Sequence, residues 1–356
     1  MRRIILGLSL ILAHFSQGCS GNDPDCCALP EPYISFFTGD TADVSITPTF
    51  GITMMGGRSE HDNAMRWFLQ RANGGDILVL RASGSDGYNN YLFSELGVNV
   101  NSVETLVINN IDAAHHAYVL QQIANAEAIW IAGGDQSQYY TIWGNSPMKK
   151  ALNEHINIKR GVIGGTSAGM AILGEWAYTA TNGSVISSEA LGDPFDTRIT
   201  LSNDFLKVPF LENLVTDTHY HERNREGRHS AFMARIANQT QSRVYGIACD
   251  EYAAVCIGED GQARVYGNAP NAPEAVYFIQ SNCHNNTLPE VIETGEALTW
   301  NQNNQALYVY KVTGNTSGNS YFNLNTWSEG TGGEWLNWYV EQGSWNSLQG
   351  QTPSCN

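Results

Sequence analysis

The stretch Gly161-Val162-Ile163-Gly164-Gly165-Thr166-Ser167-Ala168-Gly169-Met170 decides how the chain is read. Short apolar residues lead in, a serine stands between small residues, and the apolar run Ala171-Ile172-Leu173 leads out. Gly165-x-Ser167-x-Gly169 has the form of a nucleophile elbow, in which a strand ends, the backbone turns sharply and a helix begins. A serine that must stand clear of a sheet in so tight a turn needs neighbours without bulky side chains. The new helix then aims its first free N–H groups at the reacting carbonyl oxygen. A small-residue helix start packed under a sheet would look similar, so the pattern alone does not separate the two. A phosphate loop is excluded, because no Lys-Ser or Lys-Thr pair follows the last glycine, and the dinucleotide pattern Gly-x-Gly-x-x-Gly is absent here.

Working outward, strand and helix signals alternate. Gly51 to Met55 reads as a strand ending at Gly56-Gly57, followed by a helical pattern through Ala64, Trp67, Phe68 and Ala72. Ile77 to Leu80 and Glu104 to Ile108 read as buried strands, and a helix is expected from Asp112 to Ala126. Ala128 to Ala132 is a further strand, running into Gly133-Gly134-Asp135-Gln136, and helical stretches through Tyr140 and Leu152 lead back to Ser167. Short apolar strands separated by amphipathic helices imply a mainly parallel sheet with helices on both faces, an α/β three-layer sandwich. Ligands bind at the C-terminal ends of such strands. Gly56-Gly57, Gly133-Gly134 and Gly164-Gly165 are all expected there, lining one crevice.

The 356 residues suffice for one large domain or two small ones, and 42% hydrophobic against 15% charged residues suits a folded, well-buried protein. A net charge of −16 argues against nucleic acid and acidic membranes as partners. Arg2 and Arg3 precede the apolar run Ile4 to Leu12, with small or polar residues after it. That is the layout of a secretory signal peptide, expected over residues 1–18, and it is too short to span a membrane. Membrane attachment would require lipidation of Cys19, to which Ser16-Gln17-Gly18-Cys19 is a poor signal. Of the 7 cysteines, the six after Cys19 (Cys26, Cys27, Cys249, Cys256, Cys283 and Cys355) form an even set available for disulfides. Their spacing does not suit zinc, and neither a metal nor another cofactor is expected.

Residues 19–44 read as a linker, 181 to 213 as an insertion with turns, and the chain beyond about 290 as Asn/Gly/Ser/Thr-rich β structure. Trp300, Trp327, Trp335, Trp338 and Trp345 fall in this last region; core packing is favoured over a polymer-binding platform. One dense titratable cluster stands out, Asp217-Thr218-His219-Tyr220-His221-Glu222-Arg223-Asn224-Arg225-Glu226-Gly227-Arg228, after the apolar Leu214 to Thr216. A serine nucleophile needs a base and a carboxylate to orient it. His219, at a strand end, is the best base, with His221 and His229 as rivals. His219 and His221 also alternate like a metal pair, without an obvious third ligand. Glu251 is the candidate orienting acid, between the runs Val244 to Ala248 and Ala253 to Ile257, which are expected to pair. The three arginines suit a carboxylate clamp or, more plainly, surface ion pairs with Glu222 and Glu226.

Together, Gly133-Gly134-Asp135-Gln136, Gly164-Gly165-Thr166-Ser167-Ala168-Gly169, Asp217-x-His219-Tyr220-x-x-Arg223-x-Arg225-x-x-Arg228 and Asp250-Glu251 resemble the cyanophycinase and dipeptidase E family of serine peptidases, family S51. The resemblance spans residues 45–315, leaving 316–356 as a C-terminal extension. It implies a sandwich of the class I glutamine amidotransferase-like or flavodoxin-like kind with a β-rich addition. It implies Ser167 as nucleophile, His219 as base and Glu251 as acid, with backbone N–H groups of Gly134 and Ala168 for the oxyanion. It further implies substrate contacts from Gln136, Asp217, Arg223, Arg225 and Arg228, and Thr218 beside Asp217 is a further candidate. Cyanophycinases cut the β-linked aspartyl-arginine polymer cyanophycin, but carry Gln where this chain has Thr218. The implied partner is therefore a peptide, either cyanophycin or another aspartyl or isoaspartyl peptide, hydrolysed by a secreted enzyme. A homodimer is left open. The competing class is a non-catalytic secreted or lipid-anchored binding protein on the same scaffold.

Overall fold

The computed structural model describes residues 30–271, 274–284 and 288–355. Residues 1–18, where a signal peptide is expected, and Cys19, Cys26 and Cys27 lie outside the described residues. Pro32–Asn356 forms one unit.

Its first part runs β1 (Ile34–Gly39), β2 (Gly51–Met55), α1 (Asp62–Arg71), β3 (Asp76–Arg81), β4 (Ser102–Val107), α2 (Ile111–His115), α3 (Ala117–Asn125) and β5 (Ala128–Ile131). It continues with α4 (Gln136–Gln138), α5 (Pro147–Asn157), β6 (Val162–Thr166) and α6 (Ala168–Ala171). The middle of the chain supplies β7 (Ala177–Tyr178), α7 (Ser187–Gly192), β8 (Leu201–Ser202), β9 (Leu214–Asp217), α8 (Glu226–Thr240), β10 (Tyr245–Cys249) and β11 (Ala254–Gly258). The rest is β12 (Gln262–Ala269), β13 (Ala275–Ser281), β14 (Leu307–Thr313), β15 (Ser320–Asn323), β16 (Gly330–Thr331), β17 (Gly333–Glu341) and β18 (Ser344–Gln349).

Ten strands form the first sheet in the order β1-β4-β3-β5-β6-β2-β11-β12-β15-β16. The five from β4 to β2 are parallel, and the flanking pairs are antiparallel. β3 shows why this centre is buried on both faces. Its Ile77 and Val79 pack with Phe68 and Leu69 of α1. Its Leu78 and Leu80 pack with Val119 and Ile123 of α3 and Leu152 and Ile156 of α5. Successive side chains of a strand point to opposite faces, so an unbroken apolar run requires cover on both. The predicted α/β sandwich with a parallel centre is thus present.

A second sheet, β18-β17-β14-β13-β10-β9, is antiparallel except for β9 and β10. Ile247 and Cys249 of β10 share a core with Val255 and Ile257 of β11, while Ala248 packs with Phe232 and Ile236 of α8. This sheet therefore lies between the first sheet and α8. Residues 316–355 supply strands to both sheets. Trp300, Trp327 and Trp338 are buried, and the half-buried Trp335 and Trp345 pack on Tyr310 and Trp338, with ring centroids 5.1 Å apart in each case.

Four expectations change. The linker over 19–44 contains β1, an edge strand paired with β4. The helix expected from Asp112 to Ala126 breaks at His116, whose extended backbone (ψ 133°) ends α2 and caps α3. The runs flanking Glu251 do not pair: β10 belongs to the second sheet and β11 to the first. Both are apolar and β-rich, so local pattern cannot tell a hairpin from a crossover. Nor do all six cysteines pair: Cys283 is bonded to Cys355, while Cys249 and Cys256 are free, buried thiols facing the core.

The bond closes a loop with a sequence separation of 72 and ties the C-terminal tail to the end of β13. Cys355→Ser is expected to lower unfolding free energy by about 2–4 kcal/mol. Urea titration with and without reductant checks this; a wild type that loses nothing on reduction would contradict it.

Candidate active site

Ser167 sits between β6 and α6 with φ 52° and ψ −117°, a left-handed conformation that costs a non-glycine residue free energy. The elbow is held from both sides: the Ser167 N–H donates to Met55 O at 3.1 Å, and the Ala171 N–H to Ser167 O at 2.9 Å. Gly169 explains the small-residue pattern, since a Cβ there would lie 2.1 Å from the Ile131 carbonyl oxygen. The start of α6 is pressed against the end of β5, and only glycine fits.

His219 follows β9, in the second sheet. Its N–H donates to Gly56 O at 2.9 Å, beyond the end of β2. Gly57, at φ +123°, passes so close that a Cβ would stand 2.3 Å from the imidazole. Glu251 occupies the turn where the chain crosses from β10 to β11. Ser167 Oγ lies 2.8 Å from His219 Nε2, and His219 Nδ1 lies 2.7 Å from Glu251 Oε1. An ionised carboxylate only accepts, so Nδ1 carries the proton and Nε2 of the neutral ring accepts from the serine hydroxyl.

The electrostatics support that protonation state. Burial lowers the pKa of His219 below its usual value, with Arg223 and Arg225 adding to the effect against the opposing hydrogen bond that the ring donates to Glu251. Burial pushes the Glu251 carboxyl up, but donors from His219 and Arg58 outweigh it and hold it below the usual carboxylate range. Around the serine, Gly133 approaches the Ser167 side chain, and the Tyr139 hydroxyl lies 3.0 Å and 3.1 Å from the carbonyl oxygens of Ala132 and Gly133. Gly134 follows in that pinned turn, and Ala168 is the first residue of α6. Gln136 is half-buried at the start of α4.

The rivals to His219 have other surroundings. His229 is fully buried between Val215 O and the Tyr220 hydroxyl, at 3.1 Å from each, and burial pulls its pKa down to about 4. His221 is exposed and faces Glu226 at 3.6 Å. Both ring nitrogens of His219 are engaged by Ser167 and Glu251, which leaves none for the metal pair with His221.

Three of the expected substrate contacts have internal tasks instead. Arg228 is 4% exposed and its Nε and Nη2 grip the two oxygens of Asp217 at 2.8 Å and 2.6 Å. Burial would raise the Asp217 pKa, but Arg228 and Arg225 bring it down to about 2. Thr218 is buried, and its carbonyl accepts from Arg225 Nη1 at 2.8 Å. Charge spacing in sequence cannot distinguish a pair that braces a loop from one that meets a ligand. Arg223 is exposed and Arg225 half-buried. Of the three glycine pairs, Gly164 lies inside the sheet against Trp130 and Thr53 O rather than in the crevice.

Sequence reasoning missed Arg58, whose Nε donates to Glu251 Oε2 at 2.9 Å, and Glu222, whose Oε2 accepts from the Glu251 N–H at 3.1 Å. It also missed the bracing role of Asp250, which accepts from the N–H groups of His221 and Ala275, each at 3.0 Å. Arg58 directly follows the strand-end pair Gly56-Gly57, a position that by itself does not distinguish it from a surface charge.

Arg228→Leu removes the two-pronged partner of a buried carboxylate, leaving it only Arg225 at 3.5 Å and the Thr218 N–H at 2.8 Å, and is expected to cost about 3–5 kcal/mol. Because the folded pKa of Asp217 is depressed, its contribution is fully present above about pH 4 and is lost as pH falls towards 2. Urea midpoints between pH 2 and 7 check both; an Asp217→Asn variant with the wild-type acid profile would contradict the assignment.

The chain is 27% identical over 207 residues to a cyanophycinase of Synechococcus elongatus, covering 56% of this chain and 59% of that protein. It is 24% identical over 191 residues to a cyanophycinase of Geminocystis herdmanii, covering 50% and 64%. The alignments thus span less than two thirds of these relatives' length. Among solved structures, a peptidase from an acI-B1 actinobacterium is similar with TM-score 0.47 and 13% identity, covering 65% of this chain and 91% of that one. A Listeria monocytogenes protein assigned to peptidase E is similar with TM-score 0.40 and 16% identity, covering 62% and 100%. Residues 81–265 match the family model of peptidase family S51, and the chain belongs to that family.

Proposed function

We propose that the protein is a serine peptidase that hydrolyses aspartyl or isoaspartyl peptides through an acyl-enzyme at Ser167. The unbroken hydrogen-bond chain from Ser167 Oγ to His219 to Glu251, at 2.8 Å and 2.7 Å, carries this reading. Ser167 Oγ attacks the substrate carbonyl while His219 Nε2 takes its proton. Glu251 holds the ring and stabilises the imidazolium that forms. The N–H groups of Ala168 and Gly134 receive the oxyanion, each worth about 10²–10³ in rate. His219 then protonates the leaving amine, and water repeats the two steps to release the acid.

Gln136, Arg223 and Arg225 are the proposed substrate contacts, the arginines as partners for a carboxylate. Similarity to cyanophycinases supports cyanophycin as one substrate to test. Thr218 in the place of their Gln supports including other aspartyl and isoaspartyl peptides. We also propose that the protein is exported, a reading supported by the N-terminal sequence and by the Cys283–Cys355 disulfide, which suits an oxidising compartment.

Ser167→Ala is expected to abolish turnover while keeping the wild-type thermal midpoint. The assay is release of dipeptides from insoluble cyanophycin, beside a panel of aspartyl and isoaspartyl dipeptides, read by mass spectrometry. A mutant hydrolysing these at the wild-type rate would falsify the assignment. The pH profile follows from His219. Only the neutral ring accepts the serine proton, and its pKa is lowered, so activity is lost on acidification with a midpoint below the usual histidine value of about 6.5. A midpoint at or above that value in kcat/KM would contradict a buried base flanked by arginines.

A further inference from the structure

We propose that Arg58 is a positioning residue of the hydrolytic site, completing the Ser167–His219–Glu251 chain as a fourth member that fixes the acid. This rests on the serine-peptidase reading above.

Glu251 is held at both oxygens. His219 Nδ1 takes Oε1 at 2.7 Å and Arg58 Nε takes Oε2 at 2.9 Å. Its backbone N–H is bound by Glu222 Oε2 at 3.1 Å. That last bond brings a second carboxylate close to Glu251, and like charges repel. Arg58 is the cation that faces both: its charged and titratable neighbours are Glu251, Glu222 and Tyr252. Those of His219 are Glu251, Arg223 and Arg225. Without Arg58, Glu251 loses one of its two side-chain donors and the charge that offsets Glu222. The carboxylate is then free to turn away from the imidazole.

The backbone supplies an independent argument. Arg58 adopts φ 69°, a left-handed conformation that glycine takes freely and other residues do not. It follows Gly57, itself at positive φ, in the loop that wraps the imidazole. For folding alone, glycine would be the better residue. The side chain is also 63% exposed, so it contributes little core packing. A strained, exposed arginine whose one directed bond goes to the orienting acid is explained by the task of holding that acid.

Substitution therefore separates activity from stability. Arg58→Gly removes the guanidinium and relieves the backbone, so the fold should be kept or strengthened. Arg58→Lys keeps a cation without the fixed fork of donors. The probe is a fluorophosphonate, which reacts with an activated serine whatever the natural substrate; its labelling rate at Ser167 is measured from pH 4 to 9, with thermal midpoints alongside. We expect Arg58→Gly to label at least tenfold more slowly at pH 7, with an unchanged or higher thermal midpoint. Its acid limb should move to lower pH, because a Glu251 carboxylate turned away from the ring no longer favours the protonated imidazole. Arg58→Lys should recover part of the rate, and millimolar guanidinium ion should speed Arg58→Gly but not the wild type. Labelling of a folded Arg58→Gly variant within twofold of wild type, with the same acid limb, overturns the proposal. So does a uniform loss with no shift of the limb and no rescue. A wild type that is never labelled at Ser167 overturns the serine reading itself, and this inference with it.

Discussion

Every part of the site depends on one imidazole being held between two sheets. His219 leaves β9 of the second sheet, yet its ring meets a serine on an elbow of the first and a glutamate in the turn that joins the two. The backbone around it leaves almost no freedom. Gly57 passes too close for any side chain, and the His219 N–H is tied to Gly56 O. A ring enclosed this way is held with Nε2 at the serine hydroxyl and Nδ1 at the Glu251 carboxylate.

The crossover from β10 to β11 accounts for the position of the acid. A hairpin at Asp250-Glu251 would have kept both strands in one sheet. Instead the chain steps between layers, and Asp250 anchors the step by accepting backbone N–H groups of His221 and Ala275. Behind it, the Asp217–Arg228 pair ties the end of β9 to α8. Such a pair is costly to bury, so its value here lies less in net stability than in a unique conformation for the segment carrying the base. That is a use of charge different from the substrate clamp that the row of arginines suggested.

The elbow was legible because its glycines answer a local constraint: Gly169 has no room for a Cβ against β5, and that shows as a small-residue pattern in one short stretch. The parallel centre was legible because strands covered on both faces must be apolar throughout. His219 and Glu251 were legible as types at strand ends. Arg58 was not, since a lone arginine after two glycines carries no spacing that distinguishes it from a surface charge. The break at His116 was likewise hidden, because the apolar spacing continues across it.

What the amino-acid order determined by itself is therefore what depends on neighbours along the chain: the alternation of strands and helices, the tight turn at Ser167, and family membership through motifs kept in register. Tertiary structure alone decided which strands share a sheet, which cysteines pair, and which of three arginines faces inward. Those outcomes depend on groups tens to hundreds of residues apart competing for the same buried space. Which partner a buried group meets, unlike turn geometry, is a property of the whole packed chain.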